Sequence, residues 1–213
     1  MIAIVDYGMG NLGSIFNMLK KLGMPSKITS DRAEITAADK LILPGVGAFD
    51  TAMRRLGESG LKDVLDEQVL GKKIPTLGVC LGMQLLTEGS EEGSLPGLGW
   101  IKGTTKKFRF EGADAQTLKI PHMGWNTITA TKHDGASSAL VTGLDDVTKP
   151  SRFYFVHSYY VTVEDPRDAA ATTHHGHDFV SAVERANVKG TQFHPEKSHK
   201  FGMRLLRNFA EVP

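Results

Sequence analysis

Over the first half of the chain, short apolar runs alternate with stretches whose apolar residues recur every three or four positions. "IAIVD" at 2–6, "KLILP" at 40–44 and "IPTLGVC" at 74–80 read as buried strands, whereas 11–22, a stretch from about Phe49 to Leu70 and "LGMQLLTEGS" at 81–90 read as helices. That rhythm predicts a parallel sheet with crossover helices. The first helix takes Asn11 or Ser14 as its cap and stops at Gly23. From about Leu98 the pattern becomes strand-like: "WNTITA", "RFYFVHSYYVTVE", "AAATTHH", "FVSAVER" and "VKGTQFH" predict a largely antiparallel region. A last helix, "GMRLLRNFAEV", offers Met203, Leu205, Leu206 and Phe209 to the core. "TEGSEEGSLPGLG" reads as a surface loop. No Pro- and Ser-rich break divides the halves, so a single domain over 1–213 with one continuous sheet is expected.

Composition narrows this picture without redirecting it. The chain has 213 residues, 40% hydrophobic and 23% charged, enough for one well-buried α/β domain. It lacks both an apolar run near the roughly 18 residues a membrane span needs and a basic segment leading into a long apolar stretch. A soluble, cytoplasmic protein is expected. A net charge of +1 with scattered Lys and Arg gives no reason to expect nucleic acid. Cys80 is the only cysteine, which excludes an intramolecular disulfide and a thiolate zinc cluster built from this chain alone. His174, His175 and His177 read as a polar hairpin, and no metal site is expected. His122 and His157 sit in apolar surroundings and read as packed, hydrogen-bonded rings, while His133 and His199 look exposed.

Four stretches carry candidate chemistry. "YGMGNLG" contains Gly8, Gly10 and Gly13 in a G-x-G-x-x-G spacing after a strand, and Asp31 follows at a distance suited to a ribose. The same glycines equally shape an ordinary strand-to-helix turn. "TLGVCLGMQLL" puts Cys80 between a strand and a helix with Gly78 and Gly82 on either side, the G-x-C-x-G form of a nucleophile elbow. A helix N-terminus there favours a thiolate, and nearby backbone N–H groups can bind an oxyanion. Such a nucleophile needs a base. "TQFHPEKS" ends a strand at His194, and Pro195 stops it so that Glu196 can turn back to orient the imidazole. In "LILPGVGAFD", the Gly45-Val46 peptide can rotate to present its N–H as an oxyanion donor, or the loop is a plain βα turn.

Taken in order, "PGVGAFD", "GVCLGMQLL" and "HPEKS" resemble the class I, or triad, glutamine amidotransferase family, and the likeness covers nearly the whole chain. The resemblance implies a flavodoxin-like α/β fold, with a central mostly parallel sheet flanked by helices and an added antiparallel region in the second half. It also implies a Cys80-His194-Glu196 glutaminase acting on L-glutamine without a cofactor. Gly45, Val46, Gly47, Leu81 and Gln84 match substrate or oxyanion positions of the family, and Ser158 and Tyr159 match a strand whose backbone holds the amino-acid end of glutamine. "DYGMGNLGS", "PHMGWN" and "YFVHSYY" further resemble the glutaminase subunits of imidazole glycerol phosphate synthases. That likeness implies a (β/α)8-barrel synthase subunit as heterodimer partner, with Tyr154 and Lys197 near the subunit interface and channel mouth. Under this reading Gly8, Gly10 and Gly13 form the first βα turn and need no nucleotide.

Overall fold

The computed structural model describes residues 1–133, 135–144, 146 and 148–211. Strands and helices first alternate: β1 (Ile2–Val5), α1 (Leu12–Lys21), β2 (Ser26–Thr29), α2 (Arg32–Thr36), β3 (Lys40–Gly45), α3 (Phe49–Glu58), α4 (Leu61–Asp66), β4 (Thr76–Cys80) and α5 (Leu81–Leu85). Strands then dominate. β5 (Gly103–Lys107) precedes a short α6 (Asp114–Thr117), β6 (His122–Thr127) and three two-residue strands, β7 (Thr129–Ala130), β8 (Lys132–His133) and β9 (Ala136–Ser137). β10 (Arg152–His157), β11 (Tyr159–Val163), β12 (Ala169–His175), β13 (His177–Arg185), β14 (Val188–Thr191) and α7 (His199–Glu211) complete the chain.

The main sheet runs β2-β1-β3-β4-β14-β13-β11-β5, with β12 beside β13. β2, β1, β3, β4 and β14 are mutually parallel, and β13, β11 and β5 continue the sheet antiparallel. A doubly wound sheet of this kind collects ligands beyond the carboxyl ends of its parallel strands. Alternating side chains feed two apolar layers. Ala3, Val5, Leu41 and Leu43 face one layer with Phe49 and Leu56; Ile2, Ile4, Leu77 and Val79 face the other with Phe153, Phe193, Leu205 and Phe209. Each fully buried side chain of this size contributes roughly 1.5–3 kcal/mol.

Several expectations from the sequence are corrected by local chemistry. The helix expected from Phe49 to Leu70 breaks at Gly60, whose φ of +67° opens α4, and it ends in a π-turn over Glu67–Gly71. β2 and α2, of 4 and 5 residues, are too short to show a periodicity in the sequence, and "LGMQLLTEGS" is helical only through Leu85. Asn11 occupies the cap of α1 without making a side-chain capping bond. The last helix starts at His199, earlier than expected, and Met203 is only half-buried; Val212 lies outside the described residues. The apolar run "RFYFVHSYYVTVE" is two strands in different sheets: β10 pairs with β6 in a separate ribbon, and β11 joins the main sheet. Ser158 is the hinge between them. His174, His175 and His177 flank the β12–β13 turn at Gly176, whose φ is +75°. His133 is half-buried, its Nε2 lying 3.1 Å from the Ala169 carbonyl oxygen, whereas His199 is exposed.

Candidate active site

Cys80 ends β4 in a backbone conformation that L-residues avoid, with φ 55° and ψ −112°. Glycines allow it. A Cβ on Gly78 would stand 2.7 Å from the Gly82 carbonyl oxygen, and one on Gly82 would overlap the Leu43 carbonyl oxygen. The strand, the turn and α5 therefore fold back on one another at backbone contact, and the side chain is carried past the strand end.

β14 lies parallel beside β4, with Thr191 opposite Val79, so the chain leaving β14 reaches the same carboxyl edge as Cys80. There His194 and Glu196 are both 2% exposed, and His194 Nδ1 lies 2.8 Å from Glu196 Oε1. The carboxylate accepts from Nδ1–H, which leaves Nε2 as the working nitrogen. That Nε2 is buried and has no hydrogen-bond partner among the described residues. Burial works against a charged ring, but Cys80 and Glu196 outweigh it and raise the His194 pKa to about 10.

A cleft of about 360 Å³ opens over this edge, and Val46, Gly47, Cys80, Leu81, Gln84, Ser158, Tyr159, His194 and Lys197 all line it. Three other expected residues stand outside its lining. Glu196 lies behind His194. Gly45 sits opposite Cys80 in the β3–β4 register, where a Cβ would come within 2.8 Å of the Tyr7 hydroxyl and 2.9 Å of Gly82 N. Tyr154 is at the rim: its carbonyl accepts from His194 N–H at 2.9 Å, and Lys197 Nζ lies 5.4 Å from its ring centroid. Lys197, Tyr154 and exposed Trp125 form a chain of contacts.

Four residues of the site were missed or misread in the sequence. Glu92, assigned to a surface loop, lines the cleft, and its carboxylate accepts from Phe49 N–H at 2.9 Å at the start of α3. Gln192 Nε2 lies 3.9 Å from Cys80 Sγ, and its Oε1 accepts from Gln84 Nε2 at 3.1 Å. Its signal was available: in "VKGTQFH", which reads as a strand although β14 stops at Thr191, Gln192 and His194 are two apart and would share a face. Tyr7 donates to the Pro44 carbonyl at 2.7 Å; burial, with Cys80 adding to it, raises its pKa far above the usual phenol range. His157, read only as a packed ring, also lines the cleft.

A strained cysteine elbow on a doubly wound sheet, on the same edge as a buried histidine–carboxylate pair, is a layout suited to nucleophilic catalysis by a cysteine. The chain belongs to the class-I glutamine amidotransferase family, whose model matches residues 3–212. It is 52% identical over 209 residues to imidazole glycerol phosphate synthase subunit HisH 2 of Methanococcus maripaludis, covering 98% of each chain. It is 50% identical over 212 residues to the HisH subunit of Leptospira borgpetersenii, covering 100% of each. A crystal structure described as a glutamine amidotransferase superposes with a TM-score of 0.72 at 20% identity over 100% of both chains, a likeness of fold. Among the described residues no helix is long and apolar enough to cross a membrane.

Proposed function

We propose that this chain, as a single domain, is the glutaminase subunit of an imidazole glycerol phosphate synthase, using Cys80, His194 and Glu196 to convert L-glutamine to L-glutamate and ammonia. The observation that carries the reading is the Cys80 elbow, at φ 55°, on the same sheet edge as the buried His194–Glu196 pair. Full-length identity of about half to relatives named as HisH subunits supports the particular acceptor.

The steps follow from the groups present. The raised His194 pKa places the thiol proton on Nε2 before attack; Cys80 Sγ, as thiolate, then bonds to the carboxamide carbon, and the developing oxyanion is met by backbone N–H groups of Leu81 and of the Gly45–Gly47 loop. The C–N bond then breaks, His194 returns the proton to the leaving nitrogen, and ammonia departs from a glutamyl thioester. Water attacks the thioester and gives a proton to His194; the C–S bond breaks and the proton returns to sulfur. Glu196 holds the ring in one tautomer and balances its charge. Glu92 is the carboxylate lining the cleft, suited to the α-ammonium group, and Ser158 and Tyr159 offer backbone to the α-carboxylate end.

The partner in this reading is a (β/α)8-barrel synthase subunit. Ammonia passes to it near Tyr154 and Lys197, and the products are imidazole glycerol phosphate and aminoimidazole carboxamide ribotide. A closed route suits the chemistry because ammonia in neutral water is mostly protonated and no longer nucleophilic. The test is glutamate release by the chain alone and with a cognate barrel subunit plus its ribulosyl-phosphate ligand. Turnover confined to the complete mixture and lost in Cys80→Ala is expected; strong turnover by the chain alone points instead to a free hydrolase.

A further inference from the structure

His122 and His157 take no part in the proposed steps, yet their hydrogen bonds admit only one direction. The Tyr159 carbonyl, 2.7 Å from His157 Nδ1, can only accept, so His157 carries its proton on Nδ1 and leaves Nε2 bare. His122 Nδ1, 3.0 Å from that Nε2, must then donate, which leaves His122 Nε2 bare in turn. It faces Asn126 Nδ2 at 3.2 Å. The Asn126 amide is oriented independently: its nitrogen donates to the His174 carbonyl at 2.9 Å and its oxygen accepts from Thr127 N–H at 2.8 Å. A single file of donors thus runs from Asn126 through two neutral rings, paired across β6 and β10, to the first residue of β11.

The file ends on the wall of the cleft. β10 belongs to the ribbon and β11 to the main sheet, so the ladder is interrupted at Ser158, whose carbonyl accepts from Phe108 N–H at 3.1 Å. The Tyr159 carbonyl accepts both from His157 and from Gln84 Nε2 at 3.2 Å. Gln84 continues to Gln192, which reaches Cys80 sulfur. Phe108, Phe155 and Phe179 pack around both rings, His175 stacks on His122 with centroids 4.2 Å apart, and His194 lies on the cleft side of His157. A second proton on either ring sets donor against donor: His122 Nε2–H against the Asn126 amide, or His157 Nε2–H against His122 Nδ1–H.

We propose that His122 and His157 are positioning residues whose paired Nδ1–H tautomers fix the Ser158–Tyr159 wall and thereby set glutamine affinity rather than the chemistry at Cys80. The role rests on the glutaminase reading above. Two measurements test it. Nitrogen-15 NMR of the histidine-labelled chain should show His122 and His157 both as neutral Nδ1–H rings; an Nε2–H ring at His157 overturns the proposal without any assay of activity. In steady-state glutaminase kinetics of the complex, His157→Gln moves the amide away from the Nδ1 position, and the Tyr159 carbonyl, left with Gln84 as its donor, should raise KM roughly 10-fold with a smaller change in kcat. His157→Asn puts an amide nitrogen where Nδ1 stood and should recover most of that loss. Equal KM values for the two variants, or a loss confined to kcat, overturn the positioning role while wild-type turnover upholds the glutaminase reading. A wild-type complex that releases no glutamate overturns both.

Discussion

Cys80 and Tyr159 line the same cleft, but they are held there by different means. Cys80 is fixed by backbone against backbone: Gly78 against Gly82, and Gly82 against Leu43, inside the parallel part of the sheet. Tyr159 starts a strand at the point where the chain changes sheets, and its carbonyl is held by the side chains of His157 and Gln84. The first arrangement has no space for another atom and no proton to gain or lose. The second rests on ring nitrogens whose protonation state decides whether the bonds that brace His157, from His122 to it and from Asn126 to His122, exist. Rigid packing therefore secures the nucleophile under all conditions in which the protein is folded, and a titratable relay secures the opposite wall.

The largest way to break the nucleophile side is to remove its sulfur. Cys80→Ala should lower glutamate release by the complex at least about 1,000-fold while leaving the fold intact, checked by kinetics beside a denaturant titration. Packing comes next. Gly82→Ala should cost about 3 kcal/mol or more of unfolding free energy, because the added methyl meets the Leu43 carbonyl with backbone on both sides. The same change at Gly13, which is exposed in α1 with nothing near its missing Cβ, should stabilise by about 0.5–1 kcal/mol. Denaturant midpoints of the two variants moving in the same direction would remove the contrast.

The cleft wall gives a smaller and more selective response. Glu92→Gln keeps an oxygen for Phe49 N–H but loses the charge, and it should raise KM for glutamine roughly 10-fold with a lesser effect on kcat, since a charged hydrogen bond contributes about 1.5–3 kcal/mol. An unchanged KM would mean that the α-ammonium group lies elsewhere.

The two sides also differ in how far the sequence discloses them. Cys80 between Gly78 and Gly82 announces its turn, because the glycines needed for backbone contact are adjacent in the chain. His194 and Glu196 are legible for the same local reason, with Pro195 between them. Strand alternation likewise gave the parallel sheet, whose strands are buried on both faces and read as apolar runs. The wall was obscure because its parts meet only in space. Nothing in "RFYFVHSYYVTVE" marks Ser158 as the point where one sheet is left for another, since both halves are apolar and β-branched or aromatic. Glu92 lay in a Gly- and Ser-rich loop whose composition describes solvent exposure, while its return to α3 depends on Asp50, which accepts from Ser94 and Leu95 N–H.

The same division predicts two separate limbs in the pH dependence of stability. Burial, reinforced for His122 by His175 and for His157 by its neighbouring rings, lowers their pKa values to about 4 and about 3 from an ordinary 6.5. The native state then binds fewer protons than the unfolded chain between pH 6.5 and these values, so this contribution is complete above pH 6.5 and is lost as the solution is acidified. Its slope is at most about 1.4 kcal/mol per pH unit for each ring. His194 has the opposite sign. With a native pKa raised to about 10, its contribution is complete below pH 6.5 and is lost as pH rises through about 10. Denaturant unfolding measured from about pH 4.5 upward keeps depressed carboxylates such as Asp50 and Asp165 ionised, so that they add little to the acid limb. His122→Asn, which retains a donor toward His157, should flatten the acid limb and leave the alkaline limb alone. Cys80→Ala, which removes a group that raises His194, should flatten the alkaline limb and leave the acid limb alone. If each variant altered both limbs equally, the nucleophile edge and the wall would titrate as one unit, and the separation of the two sides would fail.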